Sequence, residues 1–331
     1  MKTFALFGAG RIGRIHAGNL RAHPGATLKY VVDVDQSAAG RIGQETGARA
    51  ADTATALGDR AVDALLIASP TDTHAALIEA GAAAGKAMLC EKPVDLDVAR
   101  ARDCVAAAAR AGTMLAIGFN RRYDPSFRRI RQGIDDGEIG AVESVLIVSR
   151  DARPPPPGYV QRSGGMFRDM TIHDFDMARW LLGQEPVEVT AHGSCLVDPA
   201  IGAAGDIDTA AVTLQTAAGQ LCQIVNSRRS GFGYDQRIEV CGARGLLRAD
   251  NRRPTSFEQE SATATRRDPP LPYFLERYAD AYRLELDAFV RRLNGEPADI
   301  VSGEDGIRAL EIADAADRSL RMHATVALET R

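Results

Sequence analysis

Apolar residues in the first 120 positions cluster in short runs, near 3–7, 28–32, 63–67, 86–90 and 114–118, that at 63–67 being continuous. Each is separated from the next by a stretch with helical spacing, at about 14–22, 36–45, 74–84 and 95–111. Such short runs fit strands covered on both faces, and their alternation with helices predicts a parallel sheet built from βα units. After residue 120 the rhythm changes. A helix is expected over 125–136 and a strand over 142–150, followed by a stiff Pro154–Pro157 run and a helix of about four turns within Ser163–Gly183. Strands are then expected near 186–195, 209–216, 220–229, 235–242 and 245–249. The polar segment 252–270 reads as an exposed loop, and helices are expected over 273–293, stopped by Asn294-Gly295, and over 307–322. The fold class is therefore α/β plus α+β. A doubly wound parallel sheet occupies a domain at 1–119, and a mainly antiparallel open sheet with helices on one face fills 120–331.

Composition changes this picture little. The chain has 331 residues, 45% hydrophobic and 25% charged, with a formal charge of -4. That balance gives no general affinity for nucleic acid, and basic pairs such as Arg128-Arg129 and Arg266-Arg267 read as solvated faces. No apolar run reaches the length of a membrane span, and the N-terminal run reads as a first strand, not a signal peptide. The five cysteines are scattered without a CxxC pair, which suggests reduced thiols in a cytoplasmic protein and no structural zinc.

The first strand runs directly into Gly8-Ala-Gly10-Arg11-Ile12-Gly13 and then a helix. This is the strand–turn–helix context in which GxGxxG holds a dinucleotide, as in a Rossmann domain. Gly8 serves the tight turn, Gly10 the approach of the pyrophosphate and Gly13 close helix packing, while the helix N-terminus offers amides to phosphate. Asp33 closes the second strand, where an acid meets ribose hydroxyls and repels a 2′-phosphate, so NAD is expected over NADP. Asp35 either shares that role or starts the next helix. Ser69, Thr71 and His74 follow a third strand, and Glu91-Lys92-Pro93 a fourth, at the carboxyl ends that line the cofactor cleft.

Asp169, His173 and Asp176 are spaced i, i+4, i+7, which a helix gathers on one face. Two carboxylates flanking an imidazole can raise its basicity and present it as a proton acceptor. Gly164-Gly165 upstream allows a close backbone approach. The plainer reading makes Asp169 a cap, Asp176 a solvated acid and His173 an ordinary polar residue.

GAGRIG, Asp33, EKP at 91–93 and DxxxHxxD at 169–176 together resemble the Gfo/Idh/MocA oxidoreductases over the whole chain. Within that family, GGMFRDMTIHDFDMARWLLG and the later GYDQRIEV are most similar to members that oxidise inositols. The resemblance implies NAD-dependent oxidation of myo-inositol to its 2-keto product, with Lys92, Asp169 and His173 as the catalytic set. It implies further substrate contacts from Asn120, Arg121, Asp151, Asp176 and Tyr234, with Glu91 and Lys92 also touching the cofactor. It implies a homo-oligomer, expected to be a tetramer, that buries the uncovered sheet face. Other inositols or sugars remain as alternative substrates. A non-catalytic NAD-bound sensor and a metal site on Asp169, His173 and Asp176 are the rival readings, and no metal is expected.

Overall fold

The computed structural model describes residues 1–329. The chain divides into two compact units. The first comprises Met1–Asn120 with Ala281–Leu310, and the second Arg121–Asp280 with Glu311 onward.

The first unit contains β1 (Lys2–Phe7), α1 (Arg11–Ala22), β2 (Ala26–Val32), α2 (Gln36–Thr46), β3 (Arg49–Ala50), α3 (Thr53–Gly58), β4 (Ala64–Ile67), α4 (His74–Ala83), β5 (Ala87–Glu91), α5 (Val98–Arg110) and β6 (Leu115–Gly118). Its sheet is parallel throughout, in the order β3-β2-β1-β4-β5-β6. The order reverses at β1/β4, so the loops after those two strands flank the crevice where dinucleotides bind in doubly wound sheets. The core joins Phe4 and Leu6 of β1 to Leu20, Val31, Ile42 and Leu66, and residues Leu286, Phe289 and Val290 from late in the chain complete it. Sequence periodicity places 273–293 on a helix but cannot say which core that helix joins. The two-residue β3 and the short α3 carry too few apolar residues to be legible in advance. Local caps fix several boundaries: Asp35, Asp52 and Asp97 accept backbone hydrogen bonds at the starts of α2, α3 and α5. Asp35 is thus a helix cap.

The second unit contains α6 (Pro125–Asp135), β7 (Val142–Arg150), α7 (Pro157–Val160), a π-helical turn at Phe167–Thr171, α8 (Ile172–Leu182), β8 (Pro186–Ser194), α9 (Pro199–Ala203), β9 (Thr209–Thr216), β10 (Leu221–Ser227), β11 (Asp235–Gly242) and β12 (Gly245–Ala249). β13 (Glu258–Glu260) and β14 (Thr265–Arg267) form a small exposed hairpin where sequence reading expects only loop. The short helix α10 (Phe274–Arg277) and α11 (Ala279–Leu293) replace the single helix expected over 273–293, and α12 (Gly303–Met322) starts earlier than expected. β15 (Val326–Ala327) pairs with β8. The seven-stranded sheet runs β12-β11-β7-β10-β9-β8-β15 and is antiparallel except for the β7–β10 pair. Strict alternation along β9, with Ala210, Val212 and Leu214 buried and Ala211, Thr213 and Gln215 exposed, shows one covered and one open face. No helix among the described residues is long and apolar enough to cross a membrane.

Candidate active site

In the first unit the glycine turn is built by exclusion. Gly8 sits at φ +101°, and a Cβ there would lie 2.4 Å from the Ala68 carbonyl oxygen after β4. A Cβ on Gly13 would lie 2.0 Å from the Gly8 carbonyl oxygen. Gly10 is different: it is exposed and a Cβ would meet nothing within 4 Å, so the space above it is open. Gly10 also begins α1, and among the described residues no side chain caps that helix, in contrast to α2, α3 and α5. The amides of the first turn, with the dipole behind them, fit a pyrophosphate. Asp33 Oδ2 accepts from the Ala9 amide at 2.6 Å and Oδ1 from the Asp35 amide at 2.8 Å, which locks the end of β2 against the turn. Arg11 is exposed, and Ile12, Ser69 and Thr71 are half-buried at the same end of the sheet. The Ser69 hydroxyl bonds the Thr73 hydroxyl at 2.6 Å.

His74 and Glu91 both engage neighbouring groups of the first unit. His74 is 1% exposed, with Nδ1 2.8 Å from the Pro93 carbonyl oxygen and Nε2 2.9 Å from that of Ser69. Burial holds its imidazole below the ordinary value, and a neutral ring donates to only one of those oxygens. The ring ties together the loops after β4 and β5. Glu91 gives its carboxylate to His16, with Oε1 2.7 Å from Nε2. Lys92 follows at the end of β5, half-buried, and the Lys92–Pro93 bond is cis.

In the second unit the π-helical turn at Phe167–Thr171 widens the entry to α8, and such turns recur at functional sites. Asp169 lies within it and accepts from the Tyr159 hydroxyl at 2.8 Å and from Arg228 Nη1 at 3.1 Å. His173 stands one turn further, half-buried. Gly165, at φ +83°, makes the expected close approach: a Cβ would lie 3.0 Å from Asp206 Oδ1, which accepts from the Met166 amide. Asp151, at the end of β7, is half-buried; desolvation and the negative charge of Asp169 push its carboxyl up to about 6, against the pull of Arg228.

The expected single face of α8 divides. Asp176 is 1% exposed, and its two carboxylate oxygens take Arg122 Nε at 2.9 Å and Nη2 at 2.5 Å. Arg121 is buried on Asp174, 2.5 Å from Oδ1, with its guanidinium over the Tyr278 ring. Both ion pairs thus hold the helix in place. Tyr234 packs edge-on to Tyr273 and Tyr278, and Asn120 is 2% exposed in the first unit. Sequence reading passed over Asp174, whose partners Ser149 and Asn226 lie on β7 and β10. It also passed over Arg228, 1% exposed beside Asp169. Only the sheet pairing brings these residues together. Arg128, Arg129, Arg266 and Arg267 are exposed, and all five cysteines are unpaired.

A dinucleotide turn on a doubly wound sheet, in a chain whose open-sheet unit carries Asp169 on a π-helical turn and His173 on the helix that follows, defines a nicotinamide-dependent oxidoreductase of two-unit type. Residues 2–119 match the oxidoreductase family NAD-binding Rossmann fold, and residues 131–328 match the family's C-terminal alpha/beta domain. The chain belongs to the Gfo/Idh/MocA oxidoreductase family and carries its NAD-binding domain. It is 50% identical over 319 residues to an inositol 2-dehydrogenase of Rhizobium meliloti, covering 96% of each chain. It is 44% identical to a myo-inositol 2-dehydrogenase of Thermotoga maritima, covering 98% of each. The crystal structure of scyllo-inositol dehydrogenase from Lactobacillus casei with bound NAD(H) and scyllo-inositol matches with TM-score 0.91 at 29% identity, covering 99% of each chain.

Proposed function

We propose that this protein oxidises myo-inositol at one secondary hydroxyl to the 2-keto product, with NAD as cofactor. Its likeness to inositol 2-dehydrogenases over essentially the whole of both chains carries the reading. The glycine turn, with Asp33, Ser69 and Thr71, holds the dinucleotide, and bound NAD supplies the hydride acceptor. His173 takes the hydroxyl proton. Lys92 donates a hydrogen bond to the same oxygen and stabilises its developing negative charge. Asp169 tunes the local charge, and with Asp151 it offers hydrogen-bond acceptors to neighbouring hydroxyls. Asp169 is itself held by Tyr159 and Arg228, so its orientation is fixed before substrate arrives.

The test is NADH formation with myo-inositol, scyllo-inositol, D-chiro-inositol, D-glucose and D-xylose, each with NAD and NADP. Strong turnover of myo-inositol with NAD is expected. Preference for another compound moves the substrate and keeps the chemistry, while NAD binding without turnover on any compound favours a sensor. His173→Ala is expected to lower kcat by about 10²–10⁴-fold, and Lys92→Ala to cripple turnover with NAD binding nearly intact. Wild-type turnover in either variant removes that residue from the mechanism.

We also propose a cytoplasmic enzyme of inositol catabolism that assembles as a homotetramer. The open face of the seven-stranded sheet, with Leu146, Leu221 and Leu246 36%, 42% and 47% exposed, supports burial against another copy. Light scattering on the purified protein measures the state, and a monomer removes the proposal.

A further inference from the structure

A second group of titratable side chains in the first unit lies outside the proposed catalytic set. His16 of α1, Glu91 at the end of β5 and Glu285 of α11 converge, with an imidazole nitrogen and a carboxyl oxygen from each acid all within 4.8 Å of one another. Their exposures are 1%, 9% and 1%. His16 Nε2 and Glu91 Oε1 lie at hydrogen-bond distance, 2.7 Å, and the His16 ring packs edge-on to Tyr282, 5.6 Å between centroids. Gly118 of the neighbouring strand makes room for Glu91, since a Cβ there would lie 2.9 Å from Oε2.

Glu285 is the unusual member. Both of its carboxyl oxygens are buried without a hydrogen-bond partner among the described residues, as is His16 Nδ1. An ionised Glu285 would be a desolvated charge with no donor, facing a second acid. Burial first, and the Glu91 charge second, push its carboxyl well above the ordinary value. Among the described residues, Glu91 is met from other elements by His16, His74 and Glu285, with the Cys90 thiol beside it on its own strand. A shared metal ion fits poorly. Two separate ligands on an ion with bonds of about 2.1 Å stand about 3 Å or more apart, whereas His16 and Glu91 sit at hydrogen-bond distance.

We propose that Glu285 is carried as the neutral acid and completes a closed His16–Glu91–Glu285 cluster that positions the end of β5 and hence Lys92. Glu285 is a positioning residue: if ionised, it would repel Glu91 and displace the strand end whose next residue is Lys92. The functional half of this inference rests on the role proposed above for Lys92; the protonation half does not.

The experiment compares wild type with Glu285→Gln, the neutral isostere, and Glu285→Leu. Melting temperature is measured from about pH 5 to about pH 8, with kcat and NAD affinity measured alongside. An acid whose folded value lies above its unfolded value binds more protons when folded, so wild-type stability falls as pH rises above about 4.5. Glu285→Gln lacks this slope. Its melting temperature is therefore expected to gain on wild type as pH rises, and the gap to close toward pH 5. Glu285→Gln is expected to keep kcat within a few-fold, and Glu285→Leu to lower it by about tenfold or more with NAD affinity little changed.

Parallel pH slopes for wild type and Glu285→Gln would overturn the neutral acid, even if Glu285→Leu fails to fold. Wild-type kcat in Glu285→Leu would overturn the positioning role. One equivalent of metal retained by the purified protein and bound by His16 and Glu285 would replace the proton with a cation. Because the melting curves need no substrate, a failure of the dehydrogenase reading leaves them interpretable.

Discussion

Replacing Asp174 with alanine tests whether α8 is held by buried charge or by apolar packing alone. Asp174 is fully buried; Oδ1 accepts from Arg121 Nη1 at 2.5 Å and from the Ser149 hydroxyl at 2.6 Å, and Oδ2 from Asn226 Nδ2 at 2.8 Å. Removing the carboxylate leaves a guanidinium that is 4% exposed without its counter-ion. Breaking one side of such a pair costs about 3–5 kcal/mol. The two stranded neutral donors would each cost about 1 kcal/mol alone, but all three share one site and their costs overlap. About 4 kcal/mol is therefore the working figure. For a unit of this size 1 kcal/mol moves the melting temperature by about 2–4 °C, so the expected drop is about 8–16 °C.

The assay is a double-mutant cycle followed by thermal and urea melts, with wild type, Asp174→Ala, Arg121→Met and the double variant. With neither charge present, the double variant is expected to recover a large part of the loss, because the pair's own desolvation disappears with it. Two results refute the reasoning. A loss below about 1 kcal/mol in Asp174→Ala would mean that Arg121 reaches water or another acid. A double variant as unstable as Asp174→Ala would mean that packing of the side chain, not its charge, holds the helix.

Gly10→Ala is expected to fold and melt like wild type, since a Cβ there meets nothing within 4 Å, while weakening NAD binding in a fluorescence titration; an unchanged affinity would place the pyrophosphate elsewhere. Asp208, fully buried, accepts from the Leu196, Val197 and Asp198 amides, and these hydrogen bonds outweigh burial to hold its carboxyl down to about 2. A depressed value means stability present above the unfolded value of about 3.9 and lost as pH falls toward 2. Asp208→Asn is therefore expected to melt lower at neutral pH, with the gap closing only in strong acid; a gap independent of pH would assign the effect to geometry. Asp151, pushed up to about 6, is expected to give kcat/KM for inositol an acidic limb near that pH. The limb should vanish in Asp151→Asn, and its persistence would assign it to another group.

What was legible in the chain is what depends on local pattern. The short apolar runs announce the parallel strands because both faces of that sheet are covered, and strict alternation announces β9 because only one face is. The glycine turn is equally local, since Gly8 and Gly13 are excluded from carrying a Cβ by backbone a few residues away or at the next strand end. The break at Tyr278 and the hairpin at 258–267 were not legible: the first interrupts a continuous helical period, and the second is too short and polar to show alternation.

The harder limit lies in the polar interior. Asp174 and Asp176 are chemically identical, two residues apart on one helix, and spacing alone favoured Asp176 as a functional acid. The structure buries both, and what distinguishes each is an arginine more than fifty positions earlier, Arg121 for one and Arg122 for the other. Asp169, by contrast, lies in the π-helical turn and keeps part of its surface beside Arg228. Whether a carboxylate meets solvent, substrate or a buried guanidinium is decided by which strand ends the sheet register delivers beneath the helix. In this protein the pairing of β7 with β10 sets Ser149 beside Asn226, and both side chains meet the Asp174 carboxylate there.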